Sequence, residues 1–476
     1  MDARPLNELT ITEVAKKLRA KECTVQDVWD ACYSAAHEKN PELNAYLEIF
    51  EADADAIAKA QARIDEEGER APLLCGIPLG IKDNILIKGN IASAASKILG
   101  NYKAAYDATA IEKLKEQGAL FLGRTNMDEF GMGASTEHSA YDPVKNPLDT
   151  SRVPGGSSGG STAVVAANIA YASLGSDTGG SCRQPAAYCN VVGFKPTYGR
   201  VSRYGLIALG SSLDQIGEMG KTVTDVELLY SAIKGNDKHD ATTLPDGAET
   251  VSVPKKMKIG VPRDLLEGVD ADVLERFNTT LAMLEKEGHT LVDVTLPTSK
   301  YALPVYYIVL PAEISTNLAR FDGMRYGLAE RTDTLLGDYL ESRTKGFGAE
   351  SKRRILIGTY VLSSGYIDAY YRKAERAREV IRKEYRDAFA VADVIATPTS
   401  PSVPFKFGER SDPVSMYLED IFTVTANLTG QPAISVPMGM VEREGKELPT
   451  GIQFTAPHKG EARLFAIGKA VTGEAL

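Results

Sequence analysis

The stretch "LGSDTGGSCRQPAAY", residues 174 to 188, places Ser181 directly after two glycines, the setting of a hydroxyl held open at a sharp turn. Acyl transfer needs such a hydroxyl as nucleophile, together with preorganised donors where the oxyanion forms. Thr178, Gly179, Gly180 and Ser181 can aim several backbone N–H groups at one point, because glycine permits the turn and lets a substrate approach the main chain closely. Ser181 also needs a base. The chain has five histidines, His37, His138, His239, His289 and His458, and none lies within forty residues of Ser181. Distance along the chain does not exclude a histidine triad, since triad members come from far apart and in any order; their scarcity directs attention to other bases. Lys82 in "GIPLGIKDNI" is one. Flanked by Ile77, Leu79, Ile81 and Ile85, it reads either as a strand-end lysine reaching to water or as a buried one. A buried lysine loses its proton more readily and can act as general base, with a serine hydroxyl relaying the proton.

A second glycine- and serine-rich run, "VPGGSSGGS", stands shortly before the first. Its composition suits a flexible loop, and a phosphate cradle is another reading, although the GK[ST] ending is absent. The run leads directly into "TAVVAANIAYASLGSD", an apolar helix and strand that anchor its backbone.

The elements that must position these residues follow from periodicity. Residues 8 to 68 read as helices: Val14 and Leu18, then Val25, Val28 and Cys32, recur at helical spacing, with Thr12 and Thr24 as N-caps. From about 70 to 235, apolar runs such as "GIPLGIKDNI", "ALFLGRTN" and "NIAYASLGSD" alternate with helical segments such as "DATAIEKLKEQG". That is the rhythm of strands and crossover helices in a mostly parallel sheet. Another strand and helix set follows "KKMKIGVPRDLLEGV", then a helical stretch from about 302 to 390, and strands return at "VADVIATPTS", "QPAISVPMGM" and "PTGIQFTAP". The expected organisation is one large α/β domain, with an N-terminal helical layer over 1–69, a core over 70–235, an inserted helical part over 302–390 and returning strands over 391–476.

Composition narrows the function classes. With 476 residues, 43% hydrophobic and 25% charged, the chain reads as an ordinary globular protein. A net charge of -10 is not the footprint of a protein that grips phosphate backbones by itself, so any nucleic acid is expected mainly on a partner. Five scattered cysteines without CxxC pairs suggest a reducing cytoplasm, and neither a disulfide framework nor a zinc site. The opening "MDARPLNELTITEVAKKL" has no long apolar run, so neither signal peptide nor membrane anchor is expected.

"GIPLGIKDN", "PGGSSGGSTAVVAA" and "GSDTGGSCRQPAAYCNVVGFKPTYGRVSRYG" resemble the amidase signature family, from about residue 70 to 220 with specific motifs and more weakly to the end. The resemblance implies a large mixed, mostly parallel sheet covered by helices on both faces. It also implies a Ser, cis-Ser, Lys triad: Ser181 as nucleophile, Ser157 as relay, Lys82 as base, and a cis peptide between Gly156 and Ser157. No metal or organic cofactor is expected for amide hydrolysis. Ser158 and Ser161 are expected to brace the loop, and Asp177 and Arg183 to form a structural charge network. Two positions depart from the family pattern: Cys182, where isoleucine is common, and Asn190, where glycine is common. Cys182 is expected to be a small core residue, and Asn190 to keep a left-handed turn.

Within the family, "TNMDEFGMGASTEHSAYDPVKNP", "LARFDGMRYG", "KRRILIGTYVLSSGYIDAYYRKAERAR" and "YLEDIFTVTANLTGQPAISVP" are similar to the A subunits of aspartyl/glutamyl-tRNA amidotransferases. This group implies glutamine hydrolysis, with ammonia supplied to convert Glu-tRNA(Gln) to Gln-tRNA(Gln), Asp-tRNA(Asn) to Asn-tRNA(Asn), or both. It implies B and C subunits in a cytoplasmic heterotrimer, misacylated tRNA held mainly by the B subunit, and ATP with Mg2+ used by the complex. It places Arg354 on the glutamine α-carboxylate and Asp420 on the α-amine, residue types suited to those partners. On the residues alone, "SKRRI" also reads as a solvated helix face and "MYLEDIF" as surface. A stand-alone amidase acting on another carboxamide is the alternative, and a non-catalytic scaffold a third reading.

Overall fold

The N-terminal helices form where threonine caps meet apolar stripes. A computed structural model describes residues 4–475 except 246, 248 and 249; residues 1–3 of the opening segment lie outside the described residues. Helices span Ile11–Arg19, Val25–Leu43 and Ala54–Glu67. Val14, Leu18, Val25, Val28 and Cys32 are buried, as their spacing implies. Thr24 caps the second helix in a capping box with Asp27. The cap of the first is Thr10, a correction to Thr12: Thr10 and Glu13 exchange side-chain-to-backbone hydrogen bonds. That box needs an acceptor side chain three residues after the cap. Counting from Thr12, that residue is Ala15. The layer also contains a strand, β1 (Tyr46–Ile49), in a stretch expected to hold only helices.

The sheet has eleven strands among the described residues: β1, β2 (Pro78–Lys82), β3 (Leu120–Thr125), β4 (Ala172–Asp177), β5 (Val192–Lys195), β6 (Gln215–Gly220), β7 (Lys258–Val261), β8 (Thr290–Asp293), β9 (Val394–Pro398), β10 (Ala433–Arg443) and β11 (Lys446–Thr455). Their order is β1-β3-β2-β4-β6-β5-β10-β11-β9-β7-β8. The sheet is mixed, but the expectation of mostly parallel pairing fails. Four neighbouring pairs are parallel and six antiparallel. Crossover helices produce the parallel pairs at β3-β2-β4 and β9-β7-β8, whereas the middle is built from returning strands. β10 and β11 form a hairpin whose two-residue turn, Glu444 and Gly445, has φ of 56° and 74°, matching the right-handed twist of the flanking strands.

Helices cover both faces. Alternation along β10 sends Ile434 and Val436 to one side and Ser435 to the other. The helix Glu461–Thr472 packs on the first side, where Gly468 faces both apolar residues. The helix Arg183–Tyr188 covers the second, with Ala187 against Gly451, beside Ser435. The stretch 302–390 holds four helices, Ala302–Asn317, Leu335–Gly346, Ala349–Leu362 and Tyr371–Ala388. Val305, Val309, Leu310 and Ile381 form a second hydrophobic cluster beside the sheet core. Among the described residues no helix is long and apolar enough to cross a membrane.

Candidate active site

Parallel pairing of β2 with β4 carries Lys82 and Ser176 to the same end of the sheet. Lys82 is wholly buried, so it does not reach water. Its Nζ lies 2.9 Å from Ser157 Oγ, 2.7 Å from Ser158 Oγ, and 2.9 Å and 3.3 Å from Ser176 Oγ and O. Burial pulls the Lys82 ammonium down to about 8, against the opposing fields of Cys182, Asp128, Asp177 and Asp214. A neutral amine has two N–H donors and one lone pair. The Ser158 hydroxyl donates to Ser176 O at 3.2 Å, so it receives one donor from Lys82. Ser176 Oγ, which also accepts from Asn84 Nδ2 at 2.9 Å, can accept the other. With both N–H groups so placed, the lone pair can take the Ser157 proton.

Ser157 follows a cis peptide bond from Gly156. Its carbonyl accepts from Asp128 N at 3.2 Å, and Ser158 N donates to Ser181 O at 3.2 Å, tying the two serine loops together. Among the described residues the Ser181 hydroxyl has no hydrogen-bond partner, and the residue is 8% exposed. No hydrogen bond joins the Ser157 and Ser181 hydroxyls among the described residues; catalytic hydrogen bonds often tighten only once substrate is bound.

Asp177, the last residue of β4, clamps the turn. Its Oδ1 accepts from Gly180 N at 3.0 Å and its Oδ2 from Cys182 N at 3.1 Å. Arg183, fully buried, donates to both oxygens at 2.9 and 3.0 Å and also to Thr423 O, Gln453 Oε1 and Asn427 Oδ1. Burial works against the Asp177 carboxylate, yet Arg183 holds it down at about 2. The Gly180 N–H is thus engaged, whereas those of Thr178, Gly179 and Ser181 have no acceptor among the described residues. A side chain at Gly179 would collide with the Tyr306 hydroxyl, and Gly180 takes φ +138° with no room beside Thr423.

Cys182 points into the core against Gly175 and Gly217, and burial pushes its thiol up. Asn190 takes φ +57°, in the left-handed region. Ser161 is buried on Thr125 Oγ1 and Leu174 O.

Arg354 and Asp420 are both buried, which sets aside the solvated-face and surface readings. Arg354 Nε donates to Glu350 Oε1 at 2.7 Å. Among the described residues its two Nη groups have no acceptor and the Asp420 carboxylate oxygens no donor, and none of these atoms is sealed from solvent. Burial pushes the Asp420 carboxyl well up, with Arg354 as the chief opposing charge. Tyr306, whose hydroxyl abuts Gly179, feels both Asp420 and Arg354, which links this pair to the glycine turn.

Sequence reasoning missed Ser176, Asn84, Tyr306 and Glu350. Ser176 and Asn84 stand inside the quoted motifs, and Asn84 lies two residues beyond Lys82; nothing local marks the other two. A cavity of about 1070 Å³ beside Tyr198, Arg378 and His458 shares no lining residue with this cluster. Among the described residues no group of three or more His, Cys, Asp or Glu could hold a metal ion.

A family model described as Amidase matches residues 27–465. The A subunit of the glutamyl-tRNA(Gln) amidotransferase of Desulfatibacillum aliphaticivorans is 48% identical over 471 residues, 97% of this chain and 96% of the relative. The crystal structure of the A subunit of the Thermotoga maritima glutamyl-tRNA(Gln) amidotransferase has a TM-score of 0.81 at 40% identity, covering 99% of this chain and 95% of that one. A crystal structure of an amidase, 28% identical, has a TM-score of 0.79 and covers 98% and 99%.

Proposed function

The chain belongs to the amidase family, and from that premise we propose that it is the glutaminase component of a tRNA-dependent amidotransferase. Ser181 attacks the side-chain amide carbon of glutamine. Its proton passes to Ser157 as the Ser157 proton moves to the lone pair of neutral Lys82. The N–H groups of Thr178, Gly179 and Ser181 hold the oxyanion, and that of Gly180 keeps the turn in shape through Asp177. Ammonia leaves with a returned proton, and water cleaves the glutamyl ester by the same relay.

The observation that carries this reading is the contact of Lys82 Nζ with Ser157 Oγ at 2.9 Å in a fully buried setting. The open Arg354 Nη groups and Asp420 carboxylate support glutamine over a plain amide, since they match its α-carboxylate and α-ammonium. The relatives named above, A subunits of glutamyl-tRNA(Gln) amidotransferases, support an aminoacyl-tRNA as the destination of the ammonia; in this reading a partner activates Glu-tRNA(Gln) or Asp-tRNA(Asn) with ATP and Mg2+. That partner is the B subunit, which also holds the tRNA, in a cytoplasmic heterotrimer with a small C subunit. The negative charge of this chain suits that division of labour.

Hydroxylamine tests the covalent step. With glutamine, the enzyme should form γ-glutamyl hydroxamate, and Ser181→Ala should not. Equal yields from both proteins would rule out the acyl-enzyme.

A further inference from the structure

If glutamine presents its α-carboxylate to Arg354, as the reading above has it, then whatever aims that guanidinium helps choose the substrate. We propose that Glu350 is a positioning residue that fixes the Nη1/Nη2 edge of Arg354 toward the substrate and sets its spacing from Asp420.

Glu350 and Arg354 lie one turn apart on the helix Ala349–Leu362. A guanidinium can grip a carboxylate through Nη1 and Nη2 or through Nε and one Nη. Glu350 Oε1 takes Nε at 2.7 Å, so the end-on edge is the one left. Among the described residues Arg354 has no other hydrogen-bond partner. Nearby rings do not do this job. Tyr307 and Tyr417 stack with centroids 3.7 Å apart, and Arg354 Cζ is 5.3 and 5.4 Å from them. Near-equal distances from two stacked rings place the cation at the rim of the stack, opposite the gap, rather than over either face where cation–π attraction is strongest. Rotation of the guanidinium is therefore set by Glu350.

The same oxygen accepts from the Tyr417 hydroxyl at 3.1 Å. Tyr417 lies in the helix Pro413–Leu418, three residues before Asp420. One carboxylate oxygen thus ties the Arg354 helix to the segment that carries Asp420. Glu350 Oε2 pairs with Arg353. Burial works against the Glu350 carboxylate, but Arg354 holds it below the usual range, so it is anionic at neutral pH.

Steady-state kinetics of the full chain with its partner subunits test this, using glutamine and 4-aminobutanamide, which keeps the amide and amine but lacks the α-carboxylate. Glu350→Ala should raise the glutamine KM by roughly tenfold or more while kcat stays within about threefold, the pattern of lost ground-state binding. Its kcat/KM for 4-aminobutanamide should not change. Glu350→Gln, which keeps an oxygen for Nε, should show a smaller rise in KM. Added to Arg354→Ala, Glu350→Ala should have no further effect on KM. Equal losses on both amides, or a full added effect in the Arg354→Ala background, would overturn the proposal. If Glu350→Ala does not fold, Glu350→Gln decides: an unchanged preference between the two amides counts against it. Should Arg354→Ala itself leave that preference unchanged, the glutamine reading fails; should only the Glu350 variants do so, the positioning role alone fails.

Discussion

Lys82 Nζ and Ser157 Oγ lie 2.9 Å apart, and the amine is wholly buried. The contact exists because β2 ends at Lys82 beside the loop that follows the cis peptide. Two hydroxyls, Ser158 and Ser176, occupy the other directions. An arginine cannot replace this lysine, because its guanidinium stays protonated in proteins. Lys82→Arg and Lys82→Ala should each lower glutamine turnover by about 10²- to 10⁴-fold, the usual worth of a general base. Ammonia release checks this, with circular dichroism to verify folding.

Activity should follow deprotonation of Lys82. With its ammonium near 8, kcat/KM should rise about tenfold per pH unit below that value and level off above it. Stability moves the same way. The folded-state value lies below the unfolded one of about 10.4, so the unfolded chain binds more protons between the two and stability rises with pH across that window. Below about pH 8 the buried ammonium imposes its whole cost, on the order of 3 kcal/mol. A flat rate profile from pH 6 to pH 9 would contradict the assignment of Lys82 as base.

Asp177 and Arg183 should matter first to stability. Asp177→Ala leaves a buried guanidinium without its carboxylate and removes the acceptors of two main-chain N–H groups. Loss of one partner from such a pair costs about 3 to 5 kcal/mol, readable as a lower denaturant midpoint. The Asp177 carboxylate is held at about 2, so its contribution is complete above the unfolded value near 4 and disappears as pH falls through 2.

Cys182 should be dispensable to the chemistry. Its buried thiol faces Gly175 and Gly217 and resists ionisation. Cys182→Ala should keep glutamine hydrolysis within a few fold and cost about 1 kcal/mol of stability. Iodoacetamide should affect the activity of wild type and variant alike; loss of activity in the wild type that the substitution prevents would identify Cys182 as reactive.

What is legible in the chain follows from how locally each feature is encoded. Ser181 sits in a glycine-rich turn whose composition marks it, Lys82 reads locally as either a strand-end or a buried lysine, Ser157 is singled out from its neighbouring serines only by the family resemblance, and Asp177 and Arg183 lie within six residues of one another. Helix stripes such as Val25, Val28 and Cys32 are equally local. The pairing direction of strands is not: β4 and β6 are separated by β5, and their antiparallel register depends on residues distant in sequence. Glu350 and Tyr417 meet across 67 residues, so no window of sequence contains the contact. Thr10 and Thr12 both stand before an apolar stripe, and only the position of Glu13 decides which of them caps the helix.

The central claim is tested most directly by ammonia release from glutamine, measured for this chain alone and with the proposed B and C subunits, ATP, Mg2+ and Glu-tRNA(Gln), with Ser181→Ala as control. Strong stimulation by the complete mixture, abolished in Ser181→Ala, is the predicted result. Little glutamine turnover in that mixture, beside brisk hydrolysis of other carboxamides by the lone chain, would contradict it and identify a stand-alone amidase.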